Sequence, residues 1–158
     1  MRVIIFFNKL FRFIVHITNT KKIIADIGEF NICADEKQSE KIRLWFEKIL
    51  KIIGVKTTIK GQIKSGNYLI ISNHSSWLDI IILGSTFKTT FLSKIEVSRW
   101  PVIGKITTAV DMLFINRGAK DAASLAVNGI SKFILNNKNV TIFPEGTSSG
   151  GKDLLKFK

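Results

Sequence analysis

Four short apolar runs, most of them followed at once by polar residues of chemical reach, constrain this chain more than any other feature. Tyr68–Ile71, Thr90–Leu92, Met112–Ile115 and Val140–Phe143 read as strands, the first as a strand buried on both faces. Helical patterns stand between them. The first runs from about Ser76 to Gly84 and the second contains Trp100-Pro101. The third is traced by Ala122, Leu125, Ala126, Ile130, Phe133 and Ile134, with Asp121 near its start. Strand and helix in alternation predict an α/β fold with a central, largely parallel sheet flanked by helices. Upstream, Ile42, Trp45, Phe46, Ile49, Leu50 and Ile53 mark one apolar helix face from Glu40, stopped by Gly54. Val55, Thr57 and Ile59 then alternate with Lys56, Thr58 and Lys60, which reads as a half-buried strand ending at Gly61.

In open α/β sheets, ligands bind outside the carboxyl ends of the strands. Asn73 and His74 follow the first strand, Asn116 and Arg117 the third, and Glu145 the fourth. Three strands thus deliver reactive side chains to one edge.

The first group is Asn73-His74-Ser75-Ser76-Trp77-Leu78-Asp79. A histidine takes a proton from a hydroxyl near neutral pH, and a carboxylate on its other ring nitrogen fixes the tautomer. Five positions along a regular helix turn the chain by about 500°, which leaves the two side chains far apart in azimuth. His74 is therefore expected in the turn before a helix, Asp79 one turn inside it, and Ser75 or Ser76 at its cap. In Phe114-Ile115-Asn116-Arg117-Gly118, a strand-end arginine suits a phosphate. In Phe143-Pro144-Glu145-Gly146-Thr147, proline ends the strand and glycine allows a tight turn, which presents Glu145 at the sheet edge.

Together these blocks resemble the glycerolipid acyltransferase family, the 1-acylglycerol-3-phosphate or lysophospholipid acyltransferases. NHSSWLD, FINR and FPEGT look like that family's NHxxxxD, F-I-[DN]-R and FPEGT blocks, and SKIEVSRWPVIGK is similar to its intervening segment. The resemblance covers residues 40–158. It implies direct acyl transfer without an acyl-enzyme, from acyl-CoA or acyl-carrier protein to the hydroxyl of a lysophospholipid such as lysophosphatidic acid. His74 would be the general base and Asp79 its orienting partner. Asn73, Arg117, Glu145, Gly146 and Thr147 would bind the acceptor, with Lys94 and Lys105 placed to assist. No metal and no cofactor besides the acyl-donor substrate is implied. Two departures stand out. Ser148-Ser149 replaces the Arg-Ser that often follows FPEGT, which removes one phosphate contact. The family's fourth block, a Pro-containing apolar strand, has no counterpart before Lys158, so the resemblance implies a domain shortened at its C-terminus.

The remaining sequence concerns the membrane. The net charge of +12 favours anionic lipid, nucleic acid or a phosphorylated substrate. The cations are dispersed and no nucleic-acid reader motif appears, so no nucleic-acid partner is expected. Residues 3–17 are mostly apolar but broken by Asn8, Lys9, Arg12 and His16, too interrupted for a spanning helix. Asn8, Arg12 and His16 recur every four residues, so a helix places them on one stripe, directed toward lipid phosphates while the apolar face enters the acyl region. Residues 1–39 thus read as an amphipathic membrane-associating segment with a linker over 18–39, and 40–158 as the acyltransferase domain. The expected location is a membrane's cytoplasmic face, with anionic lipid as partner. Cys33, the single cysteine, excludes an intrachain disulfide and reads as inert. The rival function is a catalytically silent membrane-surface module.

Overall fold

The structure, a computed structural model, describes residues 2–20, 36–63, 66–101, 103–104, 107 and 111–158. The strands β1 (Leu69–Ile71), β2 (Thr89–Lys94), β3 (Leu113–Ile115) and β4 (Asn139–Ile142) form one sheet in the order β1-β4-β2-β3. Every pairing is parallel: Ile70 lies opposite Thr141, Thr90 opposite Val140, and Ser93 opposite Phe114. Parallel neighbours need crossovers, and helices supply them. These are α3 (Leu78–Thr86) after β1 and α4 (Ala122–Leu135) after β3, with a short 3₁₀ helix (Ile95–Arg99) leaving β2. The expected α/β architecture is therefore the one observed, and all four carboxyl ends share one edge.

Upstream of the sheet, the described residues include the helices α1 (Arg2–Thr18) and α2 (Glu36–Ile53). The apolar spacing read on α2 buries Trp45, Phe46, Ile49, Leu50 and Ile52. Four of them join Ile81 of α3, Phe91 of β2 and Met112 in the main core. Side chains alternate across a strand, so Leu113, out of phase with Met112, points to the other face. There it meets α4 at Gly129, where a Cβ would come 3.3 Å from its Cδ2. Helices thus cover both faces of the sheet.

The α2–α3 contact is close because of Gly84, whose added Cβ would lie 2.5 Å from the Phe46 ring. Arg43 fastens the same interface, donating to Glu40 on its own helix and to the Ser85 carbonyl at 3.1 Å. That guanidinium holds the Glu40 carboxyl below its usual range.

Several expectations are corrected. Residues 55–60 alternate as a strand should, yet they pair with no described strand and Ile59 is 58% exposed. Alternation alone does not supply the partner strand that a ladder needs. Among the described strands β1 stands at the sheet edge, and it is not buried on both faces, because Leu69 and Ile71 are exposed. Helix α2 begins at Glu36, not Glu40, and Leu125 of α4 faces outward. Residues 21–35, with Cys33 and most of the 18–39 linker, lie outside the described residues.

The expected polar stripe on α1 is divided. His16 is buried, stacked on Trp45 at 5.5 Å between ring centroids, and its Nε2–H donates to the Trp45 carbonyl. Aromatic stacking and one carbonyl outweigh the pull of lipid phosphates for this side chain. Trp45 Nε1–H in turn donates to Thr20, and Lys9 Nζ donates to the Ile53 carbonyl. Phe13 and Ile17 pack on the core from the same helix face. Ile4, Phe7, Leu10, Phe11, Ile14 and Val15 are left exposed. Among the described residues, no helix is long and apolar enough to cross a membrane.

Two predictions follow from this packing. Gly84→Ala forces its methyl into a ring that cannot swing away, since Phe46 is 4% exposed. It should cost about 1–3 kcal/mol in urea-monitored unfolding. Burial, with Lys48 nearby, depresses the His16 pKa below the usual 6.5. The unfolded chain then binds the extra proton first, so stability is full above pH 6.5 and falls as pH drops below it toward the folded value. His16→Phe keeps the stacking and should flatten that slope in thermal melts taken across this range.

Candidate active site

The site starts where β1 stops. Ser72 N–H donates to the Ile142 carbonyl at 3.1 Å, which carries the β1–β4 ladder one residue further. The chain then turns through residues 73–76 and enters α3. Asp79 sits in the first turn of that helix, slightly nearer its start than expected, where the helix dipole favours a negative charge. Its Oδ2 reaches back across the turn and accepts from His74 Nδ1 at 3.0 Å, Ser75 N–H at 2.6 Å and Ser76 N–H at 2.7 Å. The N-cap position is Trp77, without a side-chain cap, rather than either serine, although the Ser76 hydroxyl accepts from Leu78 N–H at 3.2 Å. An ionised carboxylate only accepts, so His74 carries its proton on Nδ1. In the neutral ring the Nε2 lone pair then has no hydrogen-bond partner among the described residues, as a general base requires.

The ring is also held from its face. His74 stacks on Phe143 with centroids 4.2 Å apart, and Phe143 stacks parallel to Phe91 of the core. Behind it, Ser149 N–H donates to the His74 carbonyl at 2.9 Å. The imidazole is therefore fixed by an acid, an aromatic platform and a backbone bond, while remaining part-exposed.

Arg117 follows β3 and is exposed, and its Nη1 donates to the Gly146 carbonyl at 2.7 Å. The second and third sequence blocks thus meet. Gly146 has φ +70°, and an added Cβ there would lie 3.0 Å from Arg117 Nη1, so glycine serves both backbone and neighbour. Glu145 departs from its expected presentation at the edge. It is 2% exposed, and its Oε2 accepts from Leu155 N–H at 3.1 Å. Its carboxylate thereby ties the segment after FPEGT to the sheet. Asn73 and Thr147 are exposed beside the site. Lys94 ends β2 opposite Ile115, on the same edge as Arg117. Lys105 lies outside the described residues.

Sequence reasoning missed the backbone N–H groups of Ser75 and Ser76, the aromatic platform under His74 and the Leu155 anchor of Glu145. It also missed Trp77, an exposed residue in the turn after His74 whose ring centroid lies 6.4 Å from that of Phe13 of α1. Phe143 was visible within FPEGT, but its role depends on β4 lying beside β1, which no linear pattern states.

The family model described as Acyltransferase matches residues 54–158. The chain belongs to the acyltransferase family. Its relatives include a lyso-ornithine lipid O-acyltransferase of Pseudomonas aeruginosa, 34% identical over 115 residues, which are 73% of this chain and 44% of that protein. A 1-acyl-sn-glycerol-3-phosphate acyltransferase of Neisseria gonorrhoeae is 34% identical over 90 residues, covering 57% of this chain and 35% of that protein. The chain thus spans less than half the length of these relatives. The crystal structure of the 1-acyl-sn-glycerophosphate (LPA) acyltransferase PlsC from Thermotoga maritima superposes with a TM-score of 0.73 at 19% identity. That match covers 99% of this chain and 65% of the other, and shows a shared fold.

The family's histidine–aspartate block makes one structural prediction here. One oxygen accepts all three bonds and an asparagine oxygen could replace it, so the informative variant is Asp79→Ala, which leaves His74 Nδ1 without that acceptor. The ring should then shift its proton to Nε2. Histidine ¹⁵N NMR should report an Nδ1–H tautomer in the natural chain and its loss in the variant. An unchanged tautomer would show that Asp79 does not set it.

Proposed function

We propose that this chain transfers a fatty acyl group from a thioester donor to the free hydroxyl of a lysophospholipid of the lysophosphatidic acid type. The observation that carries the reading is the His74–Asp79 pair on the sheet edge where Arg117 also stands. The donor is acyl-CoA or acyl-carrier protein. The acceptor's hydroxyl gives its proton to His74 Nε2 while its oxygen attacks the thioester carbonyl. The tetrahedral intermediate collapses, the carbon–sulfur bond breaks, and the imidazolium returns the proton to the departing thiolate. Asp79 stays ionised throughout and stabilises the imidazolium.

Arg117 takes the acceptor's phosphate. Its present partner is one neutral carbonyl, and a phosphate offers a planar guanidinium two charge-assisted hydrogen bonds. Exchange of the first for the second is favourable. Asn73, Gly146 and Thr147 line the acceptor's approach, and Glu145 acts from beneath as the anchor of the adjoining segment. The exposed apolar face of α1 supports a membrane location, which we place on the cytoplasmic face with anionic lipid as partner.

The test incubates the chain with labelled acyl-CoA and lysophosphatidic acid, beside His74→Ala. Diacyl product is expected from the natural chain, and the variant should lose about 10²–10⁴-fold in rate. Equal product from both would exclude His74 as the base. Acyl-carrier donor and lyso-ornithine lipid acceptor extend the assay, the latter because relatives carry that name. Absence of product across all pairs, with vesicle binding retained, would favour the silent surface module.

A further inference from the structure

Helix α1 has two unlike flanks. One carries Phe13, which touches Trp77 and so adjoins the catalytic turn. The other opens onto a groove shared with α2, whose walls include Arg12, Lys41 and Lys48 beside Phe11, Val15 and Leu44. All six side chains are exposed. Among the described residues, none of the three cations forms an ion pair, although Arg43, Lys51 and Lys88 on or near α2 all do. The same groove is floored by the buried His16–Trp45 stack, so its walls are held in place.

We propose that this groove is a binding site for the phosphate of an anionic bilayer phospholipid, separate from the catalytic site. Three unpaired cations in one concavity attract an anion. The groove's apolar wall selects which anion, since Phe11 and Val15 continue directly into the exposed apolar face made by Phe7, Leu10 and Ile14. A phospholipid covers both surfaces at once, with its phosphate among the cations and its chains along α1. Free phosphate covers only the first. The bound lipid sets the rotation of α1 about its own axis on the membrane, and with it keeps the Phe13 flank, and hence the catalytic turn, facing the bilayer. This inference rests on the membrane reading above.

The test measures co-sedimentation of the 158-residue chain with phosphatidylcholine vesicles, with and without phosphatidylglycerol. A triple variant, Arg12→Gln/Lys41→Gln/Lys48→Gln, is compared with Lys56→Gln/Lys60→Gln/Lys152→Gln, which removes the same charge from exposed sites elsewhere. Circular dichroism checks that both fold. The groove variant should lose affinity for phosphatidylglycerol vesicles by about fivefold per cation, roughly a hundredfold in all. Its binding to pure phosphatidylcholine and its transfer rate on detergent-dispersed lysolipid should be unchanged. The control should lose far less. Equal losses in the two variants would overturn the site in favour of diffuse attraction. Natural chain bound equally to both vesicle types would overturn the groove alone, whereas binding to neither would overturn the membrane reading with it. Displacement by inorganic phosphate at constant ionic strength, absent in the groove variant, would reassign the groove to free phosphate.

Discussion

A single carboxylate oxygen organises the candidate active-site end of this molecule. Asp79 Oδ2 accepts from an imidazole and from two consecutive backbone N–H groups, all across one turn of chain. Each hydrogen bond to a charged group contributes about 1.5–3 kcal/mol, and the three share an acceptor, so they are not additive. Their joint effect is geometric. The turn between β1 and α3 can close only in the form that brings His74 over the helix start. The same contact that shapes the backbone also selects the tautomer, so folding and proton chemistry are set by one atom.

Around that point the site divides into a rigid part and an adaptable part. His74 rests on Phe143, Phe143 on Phe91, and Phe91 on Phe46 of α2, a chain of aromatic contacts running from the edge into the core. Motion of the imidazole would have to disturb packing at the centre of the fold. Arg117 is different. It is exposed and held by one carbonyl, at a glycine whose missing side chain leaves it room. Under the proposed function, the division would give the base a fixed position and leave the headgroup contact adaptable.

Much of this arrangement was legible in the sequence, because apolar runs interrupted by helical periods specify a parallel sheet, and such a sheet collects strand ends on one side. The turn placement of His74 followed from helix geometry alone. What was not legible depends on neighbours distant in sequence. Residues 55–60 have a strand's alternation and lack a partner to make it one. Leu69 and Ile71 look like core residues until the strand order puts them at an edge. His16 belongs to a polar stripe by spacing, but Trp45, 29 positions away, offers it a ring and a carbonyl. Glu145 reads as a displayed acid and is turned inward because the Leu155 N–H needs an acceptor there.

The pairing of β1 with β4 joins Leu69 to Val140 across most of the domain. Loops that long close slowly, and a chain made from its N-terminus cannot close this one until β4 has been synthesised. Strand β1 has no other partner among the described strands, so the His74 turn must wait for it. The platform under His74 and the bond behind it both come from residues 143–149. The surroundings of His74 thus cannot be complete before residues 143–149 have joined the sheet. A nascent or partly unfolded chain holds His74 and Asp79 and still lacks their arrangement, which confines that geometry to molecules that have completed the sheet.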